Sequence, residues 1–257
     1  MSSLVHRDWP LDHVARLRLD RPDAKNAINW DVLDALDDHL DALVDQDVRA
    51  LLLTGTGDAF SVGADLKEIQ TLTPTDARAF SKAGNALFSR VETFPAPVLA
   101  SVNGYALGGG CELACACDLR YATASARLGQ PETGVGMIPG WGGTVRLPEI
   151  VGRATAKELV LTGASLDAQT AREKGLVHDV FDDATFSDQV LDRARTVAAN
   201  APIANREAKR LLNRSATDRQ AAVNEESLAL AHCVASEDQS EAISAFLEKR
   251  TPTFKNQ

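Results

Sequence analysis

Two glutamates, Glu112 and Glu132, are the side chains whose surroundings in this sequence most clearly favour chemistry. Glu112 follows the three glycines 108–110, and Glu132 follows a Gly-Gln-Pro run. Both lie in otherwise apolar segments, where a carboxylate is costly unless it is paired, hydrogen-bonded or protonated. Two such carboxylates near one glycine-rich turn indicate a site for general acid–base catalysis.

The glycine turn at 108–110 follows a predicted buried strand, Val98–Val102, and precedes a helix predicted to begin near Cys111. The first N–H groups of a helix are unpaired and carry a partial positive charge, and glycine lets a ligand approach them closely. No lysine of a phosphate-binding loop follows, and the glycine spacing does not fit a dinucleotide site. The turn can hold a phosphate group or a developing oxyanion.

A second loop of similar character spans residues 60–68, after the predicted strand Ala50–Thr54 and before a helix. The backbone N–H of Ala64 in this loop and that of Gly109 would together form a two-donor oxyanion hole. Connections that leave neighbouring parallel strands converge at one edge of a sheet. The sequence permits this geometry.

Strands and helices alternate over the first part of the chain, which is typical of an α/β fold with crossover connections. The predicted strands are Val14–Leu19, Ala50–Thr54, Val98–Val102, Asp118–Ala122 and Val177–Phe181. Helices are predicted over Asp31–Val44 and from Pro74, with Thr73 as N-cap, to about Glu92. Only helices are predicted after about Phe186, namely Gln189–Ala199, Ile203–Leu212, Asp218–Ala235 and Asp238–Lys249. We therefore predict a core over residues 1–200 and a C-terminal helical region over residues 201–257.

The composition narrows the class of protein. A net charge of −9, from 36 acidic and 27 basic residues, argues against nucleic acid or an anionic membrane as the main partner. The sequence has no apolar run of the roughly 20 residues that cross a bilayer and no signal-peptide core, so we expect a cytoplasmic protein. The acidic, lysine-poor composition fits a high-salt cytoplasm and GC-rich coding equally well.

The four cysteines lie at 111, 115, 117 and 233. Three of them cluster in one apolar segment, without a second cluster at zinc-ligand spacing. We interpret them as reduced core thiols of a cytosolic protein and predict no metal site.

Three motifs occur in order along the chain: FSVGADLK at 60–67, NGYALGGGCELA at 103–114, and GQPE at 129–132 with a Pro-Gly pair at 139–140. With these motifs the chain resembles the enoyl-CoA hydratase/isomerase, or crotonase, superfamily over nearly its whole length. The resemblance implies a spiral of ββα units with a C-terminal helical region that forms a homotrimer, or a homohexamer made of two trimers.

The resemblance also implies a substrate and roles for the glutamates. The substrate would be a CoA thioester, with its carbonyl oxygen between the N–H groups of Ala64 and Gly109. Glu112 would hold and deprotonate a water molecule, and Glu132 would protonate the α-carbon. Since both glutamates are present, the chain resembles hydratases that convert short-chain trans-2-enoyl-CoA to 3-hydroxyacyl-CoA, with crotonyl-CoA or 3-hydroxypropionyl-CoA as the type of substrate. No metal or redox cofactor is implied, because coenzyme A is part of the substrate.

The resemblance further assigns contacts to the substrate and its CoA moiety. They are Ala24, Lys25, Ala64, Asp65, Leu66, Lys67, Gly108, Gly109, Pro131, Gly140 and Trp141, with Phe246 and Lys249 contributed by a neighbouring subunit. Trp141 departs from the pattern, because hydratases commonly have a small residue at that position. A bulky indole there would shorten the acyl pocket. A core or interface tryptophan is the equally weighted alternative.

Other functions remain as alternatives. An enoyl-CoA isomerase, or another crotonase-type reaction on a CoA ester, would use the same fold. A non-catalytic acyl-CoA-binding or assembly protein would need neither glutamate, and both are present. A glycosidase also uses paired carboxylates, but it would leave the glycine turn unexplained. Some members of the crotonase superfamily bind RNA through a lysine-rich helix. The corresponding function is not expected here, because the stripe from Asp34 to Asp45 is acidic.

Overall fold

A computed structural model describes residues 4–213 and 219–257 of the chain. Its strands are β1 (Val5–Leu11), β2 (Val14–Leu19), β3 (Ala50–Gly55), β4 (Ala59–Ser61), β5 (Val98–Val102), β6 (Tyr105–Leu107), β7 (Leu119–Thr123), β8 (Arg127–Gly129), β9 (Ser165–Asp167) and β10 (Asp179–Phe181). Its α-helices are α1 (Trp30–Val44), α2 (Leu66–Ile69), α3 (Pro74–Glu92), α4 (Gly109–Ala116), α5 (Gly143–Thr162), α6 (Ala168–Glu173), α7 (Phe186–Ala198), α8 (Pro202–Leu212), α9 (Arg219–Val234) and α10 (Glu237–Glu248). Two 3₁₀ turns span Pro22–Ala24 and Glu132–Val135.

The strands form two sheets. The larger has the order β1-β2-β3-β5-β7-β10, and the smaller has the order β4-β6-β8-β9. From β2 to β10 the larger sheet is parallel, and β4, β6 and β8 are parallel in the smaller one. Three times in succession, a strand of the larger sheet is followed by a short strand of the smaller sheet and then by helix. This repeat is the predicted spiral of ββα units, which is thereby confirmed.

Local sequence signals fix several of these elements. The predicted strand Val14–Leu19 and the predicted helix ending at Glu92 have the predicted bounds. Thr73 caps α3 by accepting a hydrogen bond from the Asp76 N–H, and Asp76 reciprocates, which makes a capping box. The helix predicted to begin near Cys111 begins at Gly109.

The larger sheet is covered on both faces. On one face it packs against α1, whose buried stripe is Val32, Leu33, Leu36, Leu40 and Leu43. On the other face Phe186, Val190 and Ala194 of α7 pack against Leu52 and Leu99 of the sheet. Coverage on both faces explains why the central strands β3 and β5 are nearly continuous apolar runs rather than alternating ones.

The helices after residue 200 contact this core through polar groups. Lys209 of α8 is buried, and its Nζ lies 2.7 Å from Asp118 Oδ2 and donates to the Ala96 carbonyl at 3.0 Å. The chain end folds back, so that Arg49 donates to the Phe254 carbonyl at 2.8 Å. The predicted division at residues 200 and 201 falls between α7 and α8 and stays a prediction. Among residues 4–213 and 219–257, every helix is too short or too polar to cross a bilayer.

Candidate active site

A cavity of about 590 Å³ contains both glutamates and is walled mainly by apolar side chains. We call it the glutamate cavity. It lies where the loop after β4, the N-terminus of α4 and the segment before α5 meet. Seven of the other predicted site residues also line it: Ala64, Leu66, Gly108, Gly109, Pro131, Gly140 and Trp141.

The two predicted oxyanion donors lie in loops that touch each other. Gly63 has a φ of +89°, and a Cβ on it would lie 2.5 Å from the Gly109 backbone nitrogen. Only glycine fits such a contact in such a conformation. The backbone segments that carry Ala64 and Gly109 are therefore adjacent.

The N–H groups of Ala64 and Gly109 are not used in the backbone hydrogen bonds of the sheet or of the helix. Ile28 donates to the Gly63 carbonyl at 2.8 Å, and Asp65 donates to the Ile28 carbonyl at 2.9 Å. These bonds flank Ala64 in a parallel bridge, so the Ala64 N–H points away from Ile28. Gly109 is the first residue of α4, where an N–H has no intrahelical acceptor.

Glu112 is buried in the first turn of α4, with 2% of its surface exposed. Its Oε1 accepts hydrogen bonds from the N–H of Trp141 at 2.8 Å and from that of Gly143 at 2.7 Å. Burial raises the pKa of Glu112 above its usual value, although these two amides, the Gly140 amide and the charge of Arg146 act in the opposite direction. The helix N-terminus thus does not by itself hold this carboxyl at a low pKa.

Glu132 begins the 3₁₀ turn Glu132–Val135, and its carboxyl lies over the glycine turn. A Cβ on Gly108 would be 3.2 Å from Glu132 Oε1. Burial raises the pKa of Glu132 to about 7, and the nearby charge of Glu112 adds to the shift. Near neutral pH this carboxyl therefore exchanges between a proton donor and a proton acceptor.

Gln130 is a buried polar residue next to Glu132 that was not among the predicted site residues. With its amide nitrogen turned toward Glu132, that nitrogen donates to Oε1 at 2.8 Å and to Oε2 at 3.1 Å. A Cβ on Gly143 would lie 2.9 Å from Glu112 Oε1 and 3.0 Å from the Gln130 amide. The sequence offers no periodic signal for this contact, because Pro131 has φ −83° and ψ 7° and Glu132 begins the 3₁₀ turn, so the two side chains are not on one face of a strand.

The indole of Trp141 is both a core group and a wall of the cavity. It is 4% exposed, and its ring lies edge-on to Phe80 and Phe88 with centroids 5.2 and 5.4 Å away. It fits between two glycines, since a Cβ on Gly84 would be 2.2 Å from its Nε1 and a Cβ on Gly109 would be 2.4 Å from its Cε3. The two predicted roles of Trp141 therefore do not exclude each other.

Four predicted CoA contacts lie beside the cavity rather than in its wall. Ala24 and Lys25 belong to the first 3₁₀ turn and its cap, and the Lys25 carbonyl accepts from the Val62 N–H at 3.2 Å. Asp65 caps α2 by accepting from the Lys67 N–H at 3.0 Å. These residues therefore lie on two neighbouring loop segments, 24–25 and 64–67, which we call the loop pair.

The cationic side chain of Lys25 is held on the surface at this loop pair. Its Nζ lies 4.5 Å from the ring centroid of Tyr105 and 3.7 Å from Asp58 Oδ2. Phe246 lies on α10 and Lys249 caps its C-terminal end, and both are exposed. Neither lines the glutamate cavity of its own chain as far as the described residues extend.

The repeated ββα units and the acid–base cavity at their edge define a protein of the crotonase fold. A family model described as enoyl-CoA hydratase/isomerase matches residues 11–257. The chain belongs to this family.

Named relatives and solved structures of the family resemble the chain over nearly its full length. It is 41% identical to a short-chain-enoyl-CoA hydratase of Clostridium acetobutylicum over 247 residues, 95% of each chain. It is 41% identical to a crotonyl-CoA hydratase of Syntrophomonas wolfei over 246 residues, again 95% of each. A crystal structure of an enoyl-CoA hydratase from Bacillus anthracis superimposes with a TM-score of 0.96 at 37% identity, covering 99% of this chain and 100% of the other.

Proposed function

We propose that this protein is an enoyl-CoA hydratase that reversibly adds water to short-chain trans-2-enoyl-CoA thioesters. The product is the 3-hydroxyacyl-CoA. The observation that carries the proposal is the presence of Glu112 and Glu132 in the wall of one cavity, beside the N-terminus of α4. The hydratase relatives of similar length support it.

The thioester carbonyl would be polarised by the backbone N–H groups of Ala64 and Gly109. Two fixed donors in a largely apolar cavity stabilise the negative charge that develops on the oxygen when the β-carbon is attacked. The contact between Gly63 and Gly109 supports this assignment, because it brings the two segments together without an intervening side chain.

Glu112 is assigned as the base that holds and deprotonates the attacking water. Its Oε1 is occupied by two backbone donors, which leaves Oε2 for the water. The hydroxyl oxygen bonds to the β-carbon, and the π electrons of the enoyl group move to the thioester oxygen as an enolate. The proton from water passes to Glu112.

Glu132 is assigned as the acid that completes the addition. With a pKa of about 7 it holds a proton in a large share of molecules at neutral pH. As the enolate collapses, the α-carbon takes this proton. Exchange of the proton on Glu112 with solvent or with Glu132 restores the starting state. In the dehydration direction Glu132 removes the α-proton and Glu112 protonates the leaving hydroxyl.

The substrate class follows from the walls of the glutamate cavity. Its apolar lining suits an acyl chain, and the indole of Trp141 limits the room beyond Gly109. We assign the CoA moiety to the loop pair that carries Ala24, Lys25 and 64–67. The proposed reaction requires no metal or redox cofactor, because CoA is part of the substrate.

We further propose that residues 201–257 form an oligomerisation region that builds a homotrimer, or a homohexamer of two trimers. Large apolar side chains on α9 and α10 are exposed, among them Leu228 at 71%, Leu230 at 65%, Phe246 at 80% and Leu247 at 74%. Large apolar side chains left exposed on two neighbouring helices favour association, and a second copy of the chain is the partner we assign. Phe246 and Lys249 would then reach the CoA moiety in a neighbouring subunit. We also propose a cytoplasmic location, where the buried thiols stay reduced.

The test is incubation of the purified protein with crotonyl-CoA while the enone absorbance is followed. We expect the absorbance to fall, with oxygen from ¹⁸O-labelled water appearing in the product. An isomerase would move the double bond without taking up solvent oxygen. Absence of turnover by folded protein over a range of chain lengths would contradict the hydratase proposal.

A further inference from the structure

One face of α3 carries a row of polar side chains, Ser81, Asn85, Ser89 and Glu92. Their spacing of four, four and three residues puts them on the same side of the helix. This side faces residues 140–143, which we call the 140–143 turn. The turn leads into α5, whose first residue is Gly143, and supplies the two amides that bind Glu112.

The carbonyl groups of the turn are held from the side opposite to Glu112. Ser81 Oγ and Asn85 Nδ2 both donate to the Gly140 carbonyl oxygen at 2.7 Å. Arg146 Nη1 donates to the Trp141 carbonyl oxygen at 3.1 Å. Three side-chain donors thus fix two successive peptide units.

Arg146 is itself fixed by α3. Its Nε and Nη2 donate to Glu92 Oε2 at 3.0 and 2.7 Å, and Nη2 also donates to Ser89 Oγ at 3.3 Å. The guanidinium lies close under the turn, since a Cβ on Gly142 would be 2.1 Å from Nη1. Gly142 has a φ of +99°, so glycine is required there on both grounds.

Peptide geometry links these carbonyl contacts to Glu112. The Gly140 carbonyl and the Trp141 N–H belong to one planar unit and point in opposite directions. When Ser81 and Asn85 hold the carbonyl, the N–H is directed at Glu112 Oε1. Arg146 fixes the next peptide unit, between Trp141 and Gly142, by donating to its carbonyl oxygen. The Gly143 N–H, which donates to Glu112, belongs to the peptide unit after that.

We propose that Ser81, Asn85 and Arg146 are positioning residues for Glu112, acting through the 140–143 turn that they hold against α3. The inference rests on the proposed role of Glu112 as the water-activating carboxylate. None of the three side chains needs to touch the reacting atoms, because their effect passes through two backbone amides.

The direction in which the pKa of Glu112 changes when the 140–143 turn is released follows from the groups that face this carboxyl. These are Arg146 of α5, Glu132 of the 3₁₀ turn, and Cys111 and Cys115 of its own helix, while Glu92 of α3 is paired with Arg146. Amides that donate to a carboxylate lower its pKa. Release of the turn therefore raises the pKa of Glu112, and catalysis that needs its ionised form shifts to higher pH.

The experiment compares Asn85→Ala and Arg146→Lys with the parent protein, and Arg153→Lys serves as the control. Arg146→Lys keeps the positive charge but loses the planar guanidinium that donates both to the Glu92 carboxylate and to the Trp141 carbonyl oxygen. Arg153 is an exposed arginine of the same helix. We expect kcat at pH 7 to fall about 10-fold in both test variants and the acidic limb of the pH profile to move up by about one unit. The control variant should match the parent.

A second measurement separates this inference from the proposed function. Infrared difference spectra recorded against pH report the Glu112 carboxyl directly, assigned by its loss in Glu112→Gln. We expect the titration midpoint of this band to rise in Asn85→Ala and Arg146→Lys. If the parent protein hydrates no enoyl-CoA, the proposed function fails while this titration still tests the positioning role. An unchanged titration midpoint in the folded variants would overturn the positioning role. If Arg146→Lys does not fold, the midpoint measured in Asn85→Ala is the test.

Discussion

The indole of Trp141 lies directly against Gly109, so that a Cβ on Gly109 would be only 2.4 Å from Cε3 and Cζ3 of the ring. Gly109 carries one of the two proposed donors to the thioester oxygen. The indole is therefore next to the position of the first acyl carbons. On its far side it contacts Gly84 of α3, which closes the cavity in that direction.

Replacing Trp141 is expected to lengthen the acyl chains that the enzyme accepts. Trp141→Leu should raise kcat/KM for octenoyl-CoA relative to crotonyl-CoA by about 10-fold or more, since each methylene accommodated in an apolar pocket is worth roughly 1–3 kcal/mol. Trp30→Leu is the matched control, because Trp30 packs against the same Phe80 at 5.0 Å but does not line the cavity. Equal selectivity in the two variants would show that Trp141 does not set the chain length.

A methyl group at residue 63 is expected to disrupt the oxyanion hole. Gly63→Ala would place a Cβ 2.5 Å from the Gly109 nitrogen and force an L-residue to a φ of +89°. Loss of one properly placed donor reduces turnover by about 10²–10³. The measurement is kcat with crotonyl-CoA, and Gly134→Ala is the control because a Cβ there meets nothing within 4 Å. Normal turnover in Gly63→Ala would remove the proposed donor pair.

Each glutamate is expected to be needed for hydration. Glu112→Gln and Glu132→Gln keep the shape of the side chain but remove the proton-transfer group, so each should lower kcat by about 10²–10⁴. Glu158→Gln, at an exposed position of α5, is the control. Near-parental kcat in either test variant would disprove the role assigned to that residue. A binding protein without catalysis would retain CoA-thioester affinity in all three.

The pKa of about 7 at Glu132 predicts that hydration declines as the pH rises through about 7, because this carboxyl must hold a proton. Dehydration starts from the same singly protonated pair, with the proton on Glu112 and the charge on Glu132. Since the reaction takes up no net proton, kcat/KM should follow the same pH dependence in both directions. Initial rates with crotonyl-CoA and with 3-hydroxybutyryl-CoA, measured from pH 5 to 9, test this expectation.

The same shift has a consequence for stability. The folded state holds the proton of Glu132 up to about pH 7, whereas the unfolded chain releases it near 4.5. The stabilisation is fully present below pH 4.5 and is lost as the pH rises through 7. The melting temperature of the parent relative to Glu132→Gln should therefore decrease between these two values. A difference that is constant with pH would mean that Glu132 titrates at its ordinary value.

The sequence predicts those parts of the molecule that depend on local signals. Thr73, Pro74 and Asp76 define the start of α3 without any distant contact. The strands β4, β6, β8 and β9 have three residues each, too few to show a periodic pattern, and none was predicted. Helix α5 was also missed, since it begins at two glycines and contains Pro148, which weaken a helical pattern.

The residues of the site also divide into those that local sequence predicts and those that it does not. Glu112, Glu132 and the glycine turn are each recognisable within a few residues of sequence. The contacts of Ser81 and Asn85 with Gly140 span 59 and 55 residues, and that of Arg146 with Glu92 spans 54. Partners at such distances are brought together by tertiary packing, in which α4 contacts both α3 and α5, and no local pattern contains it.

The ion pair between the buried Lys209 and the partly buried Asp118 is expected to hold the C-terminal helices on the core. Lys209→Met would leave the Asp118 carboxylate, whose side chain is 18% exposed, with the Val98 N–H as a donor at 2.7 Å. Removing one partner of a buried ion pair costs about 3–5 kcal/mol of unfolding free energy. The control is Arg195→Ala, which breaks an exposed pair with Asp192 and should cost at most about 1 kcal/mol. Urea unfolding at one fixed protomer concentration measures both, because any self-association makes stability depend on concentration. Equal effects of the two substitutions would show that α8 is held by its apolar contacts instead.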